Sequence, residues 1–154
     1  MQNHILYWED FRIGEEVQYG PYTVTREEIL EFATEFDPQP NHIDEEAAKQ
    51  SLLGDLSASG WHTIAMTLNL IHTGLTLKSA FAGDAGIEEL RWQQPVYAGD
   101  VLYVRRSCKD SQPSTSRPNT GLIRFVWDVL NQHGDIVMTM TSWSAYLCRP
   151  QAAE

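Results

Sequence analysis

Apolar and polar positions change their period several times along this chain. Over residues 17–24 they alternate, with β-branched members, which predicts a short strand. Helical spacing then takes over: Ile29, Leu30, Phe32, Ala33 and Phe36 recur on one face, Thr25 and Glu28 form a capping-box pattern ahead of them, and Pro38 ends the run. Asp44 reads as the N-cap of a second short helix, with Glu45 and Glu46 near its positive end and Glu45 paired with Lys49 at i, i+4. Residues 51–59 are irregular, and a long helix opens at Gly60, capped by Ser57 or Ser59. Trp61, Ile64, Ala65, Leu68 and Leu75 make one stripe on it, broadened by Met66, Leu70 and Ile71, so this helix is expected to be enclosed. Residues 86–94, 100–109, 121–131 and 135–147 read as strands rich in Val, Ile, Thr, Tyr and Trp. Residues 131–135 are a hairpin turn and 111–120 a longer polar loop, which makes the pairing antiparallel. The pattern predicts an α+β domain in which a curved antiparallel sheet wraps a long central helix, with a short helical insertion before it. An edge strand of such a sheet needs cover, and a symmetric dimer that continues the sheet supplies it.

The chain has 154 residues, 42% of them hydrophobic, which suits one domain over 1–154 burying about two-thirds of the surface of its unfolded chain. No apolar run approaches the ~18–20 residues that span a bilayer, and the N-terminus lacks the regions of a secretion signal, so the expected location is cytoplasmic, without a membrane partner. The formal charge of −10 argues against a nucleic-acid partner, which needs a basic face. An anionic ligand would need Arg105, Arg106 and Lys109, or Arg91, Arg117 and Arg124, which otherwise read as solvated surface charges. Cys108 and Cys148 lie in no CxxC or Cys/His cluster and read as reduced structural thiols.

The candidate chemistry sits in residues 37–44, Asp37-Pro38-Gln39-Pro40-Asn41-His42-Ile43-Asp44. Each proline lacks an N–H and pushes the residue before it out of the α region, so the segment is expected to be a stiff, non-helical loop. A carboxylate and an imidazole held in such a loop suit proton transfer near neutral pH; the same residues also suit an Asx-type turn with a surface His. Asp44 reads as a cap rather than a catalyst. The Gly60 N–H, at the unsatisfied positive end of the long helix, is the simplest partner for a developing oxyanion, the alternative being a conformational need at a helix entry. His62 and His72 lie about 80° apart around a helix. A metal site from His42, Asp44 and His62 matches no known ligand spacing, so neither metal nor cofactor is expected. Asn69 reads equally as a pocket group or as a buried side chain bonded to backbone.

These residues resemble the MaoC-like dehydratases, which are similar to the (R)-specific enoyl-CoA hydratases of the hot-dog fold. Asp37-x4-His42, with Pro40 two before the His and Ala48 six after it, matches the hydratase signature; Ser59-Gly60 opens the helix where the family often has His-Gly; and Pro95-Val96-Tyr97-Ala98-Gly99-Asp100 is a turn shared widely among hot-dog enzymes. The likeness covers about residues 7–147. Glu35 and Phe36 replace a small residue and Gly, Gln39 an Asn, and Asn41 a residue more often apolar. Both proton-handling groups are intact, and the departures bear on the acyl pocket.

The resemblance implies (R)-specific hydration of trans-2-enoyl thioesters, or the reverse dehydration of 3-hydroxyacyl thioesters, within fatty acid metabolism. Asp37 and His42 would share one water, Gly60 would supply the oxyanion hole, and Gln39, Asn41, Ser59 and Trp61 would bind substrate. Gln39, Asn41 and Trp61 hint at a polar acyl group. The implied partner is an acyl-CoA or acyl carrier protein thioester, and the implied assembly a homodimer or higher homo-oligomer. Two rivals stand beside it. A hot-dog acyl-CoA thioesterase usually carries an acidic catalyst on or near the central helix, where residues 60–78 hold no Asp or Glu. A non-catalytic acyl-thioester-binding subunit would be expected to have lost Asp37 or His42.

Overall fold

Five antiparallel strands, β1 (Glu16–Thr23), β2 (Phe81–Trp92), β3 (Val101–Pro113), β4 (Thr120–Leu130) and β5 (Ile136–Leu147), form one sheet in the order β1-β3-β4-β5-β2. The computed structural model describes residues 4–151. Between β1 and β2 run α1 (Arg26–Phe36), α2 (Pro40–Ile43), α3 (Glu45–Gln50) and the central helix α4 (Gly60–Gly74). Alternation along β3 and β4 turns Leu102, Val104, Ile123, Phe125, Trp127 and Val129 into the core, where they join Ile29 of α1 and Met66, Leu70 and Ile71 of α4. The architecture is the α+β arrangement read from the pattern, with all four strand pairings antiparallel as expected. None of the described helices is long and apolar enough to cross a membrane.

Local signals place most of the helical insertion. Thr25 accepts from the Glu28 amide while Glu28 reaches back to Thr25, a reciprocal cap that typically contributes about 1 kcal/mol. Asp44 accepts from the Glu46 and Ala47 amides and starts α3. The ion pair departs from the expected spacing: Lys49 meets Glu46 at 2.9 Å, and Glu45 is drawn to Arg26 of α1.

Other expectations need correction. The sheet is more extensive than the pattern indicated, since β2 begins at Phe81 and β3 continues to Pro113, leaving only 114–119 as loop. The helix α4 buries a different face from the one its apolar stripe suggested. His62, Thr63, Met66, Thr67, Leu70 and Ile71 face the core, whereas Trp61 and Ala65 are exposed and Ile64 and Leu68 half-buried. The threonines tolerate burial because Thr67 donates to the Thr63 carbonyl at 2.8 Å and Thr63 to that of Ser59 at 3.4 Å. Within one chain, therefore, the sheet leaves one side of α4 open.

Candidate active site

The site begins where α1 stops. Asp37 donates its amide to the Ala33 carbonyl at 2.9 Å and caps the helix. Gln39 is extended (φ −73°, ψ 142°), but Pro40 then begins a helical turn, so the segment is not the wholly non-helical loop its prolines suggested. The reason is positional. A proline restricts itself and the residue before it, yet at the first position of a helix its missing N–H removes nothing. The Asp44 amide closes the turn onto the Pro40 carbonyl at 2.9 Å, and His42 is carried inward on it.

His42 is buried, so the surface-His alternative does not hold. Its Nδ1 lies 2.7 Å from the Ser57 carbonyl oxygen, and the Ser57 amide donates to the Asn41 carbonyl at 3.3 Å, tying the turn to the approach to α4. The other ring nitrogen, Nε2, faces Asp37 Oδ2 at 3.8 Å. That gap exceeds a direct hydrogen bond, and a water oxygen about 2.8 Å from each group would bridge it. Asp37 Oδ2 also accepts from Ser59 Oγ at 2.6 Å, and Oδ1 from Gln39 Nε2 at 2.7 Å. The Ser59 bond first, then that from Gln39, and to a lesser extent the charge of His42 hold the carboxyl below its ordinary value of 3.8, against the opposing effect of burial. The carboxylate is thus held ionised and oriented.

At the start of α4, Ser59 Oγ accepts from the Trp61 amide at 3.3 Å while donating to Asp37. A cavity of about 420 Å³ brings together Asp37, Gln39, Asn41, His42, Gly60 and Trp61. Six of the seven residues assigned catalytic, oxyanion or substrate-binding roles from the sequence therefore line one cavity. Ser59 stands behind its wall, fully buried, with its hydroxyl committed to Asp37. The remaining candidates lie elsewhere. His62 stacks on Phe32 with ring centroids 4.7 Å apart and planes 7° apart, and burial lowers its pKa. Asn69 is exposed rather than in a pocket. Arg105, Arg106, Arg91 and Arg124 pair with Asp128, Glu15, Glu89 and Glu88. Among the described residues no three His, Cys, Asp or Glu side chains form a metal-binding group.

Two contributors had no sequence signal as functional residues. Ser57 acts through its backbone carbonyl, which any residue type would supply. Trp92 Nε1 donates to the Gly60 carbonyl at 3.0 Å, an approach that connects positions 32 residues apart.

Comparison with known proteins bears on the fold and the family. The MaoC-like domain family profile matches residues 10–122. A MaoC-like dehydratase from Rhodospirillum rubrum is 40% identical, with a TM-score of 0.86 covering 95% of this chain and 99% of that one. An (R)-hydratase from Pseudomonas aeruginosa shares the fold at 22% identity, with a TM-score of 0.77 over 97% of this chain and 93% of its own. The uncharacterized protein YdeM of Bacillus subtilis is 32% identical over 129 residues, 80% of this chain and 86% of that protein. With the hot-dog fold, the family profile over most of its length and a 40% identical relative matched across nearly all of both chains, this chain belongs to the MaoC-like dehydratase family.

Proposed function

We propose that this protein catalyses the (R)-specific hydration of trans-2-enoyl thioesters, or the reverse dehydration of 3-hydroxyacyl thioesters. The observation that carries this reading is the pair Asp37 Oδ2 and His42 Nε2, 3.8 Å apart on the wall of a cavity that also contains Gly60. A water bridging the pair loses a proton to it as the oxygen attacks C3 of the enoyl group. Charge moves through the conjugated system onto the thioester oxygen, which the Gly60 N–H at the positive end of α4 stabilises. The pair then returns a proton to C2, so that H and OH have been added across the double bond and the pair regains its starting state. Two groups sharing one water titrate as a unit, and the roles of acid and base belong to the pair.

The substrate is carried on coenzyme A or acyl carrier protein. Gln39, Asn41 and Trp61 contact its acyl portion, and the polar side chains suit a polar acyl group. A second copy of the chain docks along the open β2 edge and covers the exposed side of α4. The 45% exposed Trp92 and 57% exposed Ile87 of β2, together with Trp61 of α4, 61% exposed, support that placement.

Following the loss of enoyl absorbance from a short trans-2-enoyl-CoA, with chiral resolution of the product, tests the reaction. Formation of the (R)-3-hydroxyacyl product is expected. Release of free thiol without hydration would replace the reading with a thioesterase, and tight binding without turnover with a binding subunit.

A further inference from the structure

The peptide group joining Gly60 and Trp61 is gripped at both ends. Its carbonyl oxygen accepts from Trp92 Nε1 at 3.0 Å, and its N–H donates to Ser59 Oγ at 3.3 Å. Ser59 passes the restraint on, since its hydroxyl donates to Asp37 Oδ2 at 2.6 Å. An unbroken path thus runs from the end of β2, through the first peptide of α4, to the carboxylate.

Gly60 explains why such a clamp is needed. A Cβ built at residue 60 would lie 2.7 Å from Trp92 Cε2 and Nε1, far inside van der Waals contact. The indole therefore requires glycine there, and glycine gives the first turn more backbone freedom than any other residue. That freedom falls next to the donor the chemistry uses, since Gly60 joins the peptide that carries its own N–H to the Gly60–Trp61 peptide that the indole holds. Trp92 offsets it from outside. Its backbone is anchored in the sheet opposite Met138 of β5, and its ring meets Trp61 edge to face, with centroids 5.4 Å apart and planes at 75°. Because a peptide group is planar, fixing the Gly60 carbonyl also fixes the Trp61 N–H. A donor on the carbonyl further polarises that N–H and the Ser59 hydroxyl beyond it.

We infer that Trp92 is a positioning residue for the hydration reaction: its indole N–H holds the Gly60–Trp61 peptide, which limits rotation at Gly60 next to its own N–H and, through the Trp61 N–H and the Ser59 hydroxyl, keeps the Asp37 carboxylate oriented. The inference rests on the proposed reaction and goes beyond it by naming a residue outside the Asp37–His42 signature.

The test compares wild type with Trp92→Phe, which keeps a ring but loses the donor, and with Trp92→Leu, which loses both. Steady-state hydration of a short trans-2-enoyl-CoA is measured alongside amide exchange at Trp61 and thermal unfolding. For Trp92→Phe, kcat falls about ten- to hundredfold while KM stays within about twofold. Exchange at the Trp61 amide speeds up about tenfold, and Tm moves by less than about 4 °C. Trp92 also lines the cavity, and a rise in KM alone would mean that it acts only by contacting substrate, which would overturn the inference. A folded Trp92→Phe with wild-type kcat and unchanged exchange would overturn it too. If the wild type does not hydrate the substrate, the proposed reaction fails first, and exchange at Trp61 still decides whether the clamp exists. If Trp92→Leu fails to fold, Trp92→Phe carries the comparison.

Discussion

His42 Nδ1 lies 2.7 Å from the Ser57 carbonyl oxygen. A carbonyl only accepts, so Nδ1 carries the hydrogen, and in the neutral ring the free lone pair sits on Nε2, the nitrogen that faces Asp37. One backbone atom thereby selects the tautomer able to take a proton from a bridging water.

This relationship predicts a separation of stability from activity. In His42→Asn the amide nitrogen reaches toward the position of Nδ1 and keeps a donor for Ser57, whereas His42→Ala leaves that carbonyl unpaired. Both substitutions should lower kcat by about 100- to 10,000-fold. His42→Asn should retain more stability, by about 1 kcal/mol or more in urea unfolding, because a buried acceptor stays satisfied. Equal destabilisation by the two would count against the bond.

Asp37 should remain ionised throughout the neutral range. The Ser59 and Gln39 bonds depress its folded pKa below the ordinary 3.8. Its stabilising contribution is therefore complete above the unfolded value and is lost as pH falls through the lower folded one. Ser59→Ala removes the largest cause and should move the carboxyl resonance of Asp37, followed by carbon NMR, to a higher titration midpoint. An unchanged midpoint would show that Ser59 does not govern the carboxylate.

His62 gives a second pH dependence in another window. Burial lowers its folded pKa from 6.5, and the Glu28 charge opposes this only in part. Neutral His62 is favoured in the folded state, so its contribution is complete above 6.5 and is lost as pH falls from there through the depressed folded value. His62→Phe preserves stacking on Phe32 and carries no proton. Unfolding free energy of this variant should fall less steeply than wild type as pH drops below the ordinary His value of about 6.5. Parallel curves would rule His62 out as the origin.

Gly121 lies under the Trp8 ring, and a Cβ there would come within 2.1 Å of Trp8 Cδ2. Gly121→Ala must displace the indole and the N-terminal turn that carries it. Overpacking of this kind costs about 1–3 kcal/mol, measurable as a lower urea midpoint at unchanged slope.

The features legible in the sequence are mostly local. The Thr25–Glu28 box, the Asp44 cap and the turn over 131–135 depend on neighbours within a few positions, and each is present in the fold. The buried face of α4 is not legible because apolar residues surround the helix and because Thr63 and Thr67 bond their own helix, which lets polar residues face the core. The turn carrying His42 is hidden because a proline constrains the residue before it more than those after it. The Asp37 and His42 pairing is legible from spacing. The Ser57 carbonyl, 15 residues from His42, and Trp92, 32 from Gly60, are not, because nothing in either residue type marks a contact that only the closed chain creates.

The central claim is that Asp37 and His42 work on one water as a unit, and a double-substitution cycle on kcat tests it most directly. Asp37→Asn, His42→Ala and the combination are compared with wild type in enoyl-CoA hydration, each confirmed as folded. Groups acting as a unit are strongly non-additive, so the double variant should be within about threefold of the slower single one. Losses that multiply, leaving the double variant slower by the product of the two single effects, would mean that the residues act independently and would contradict the account.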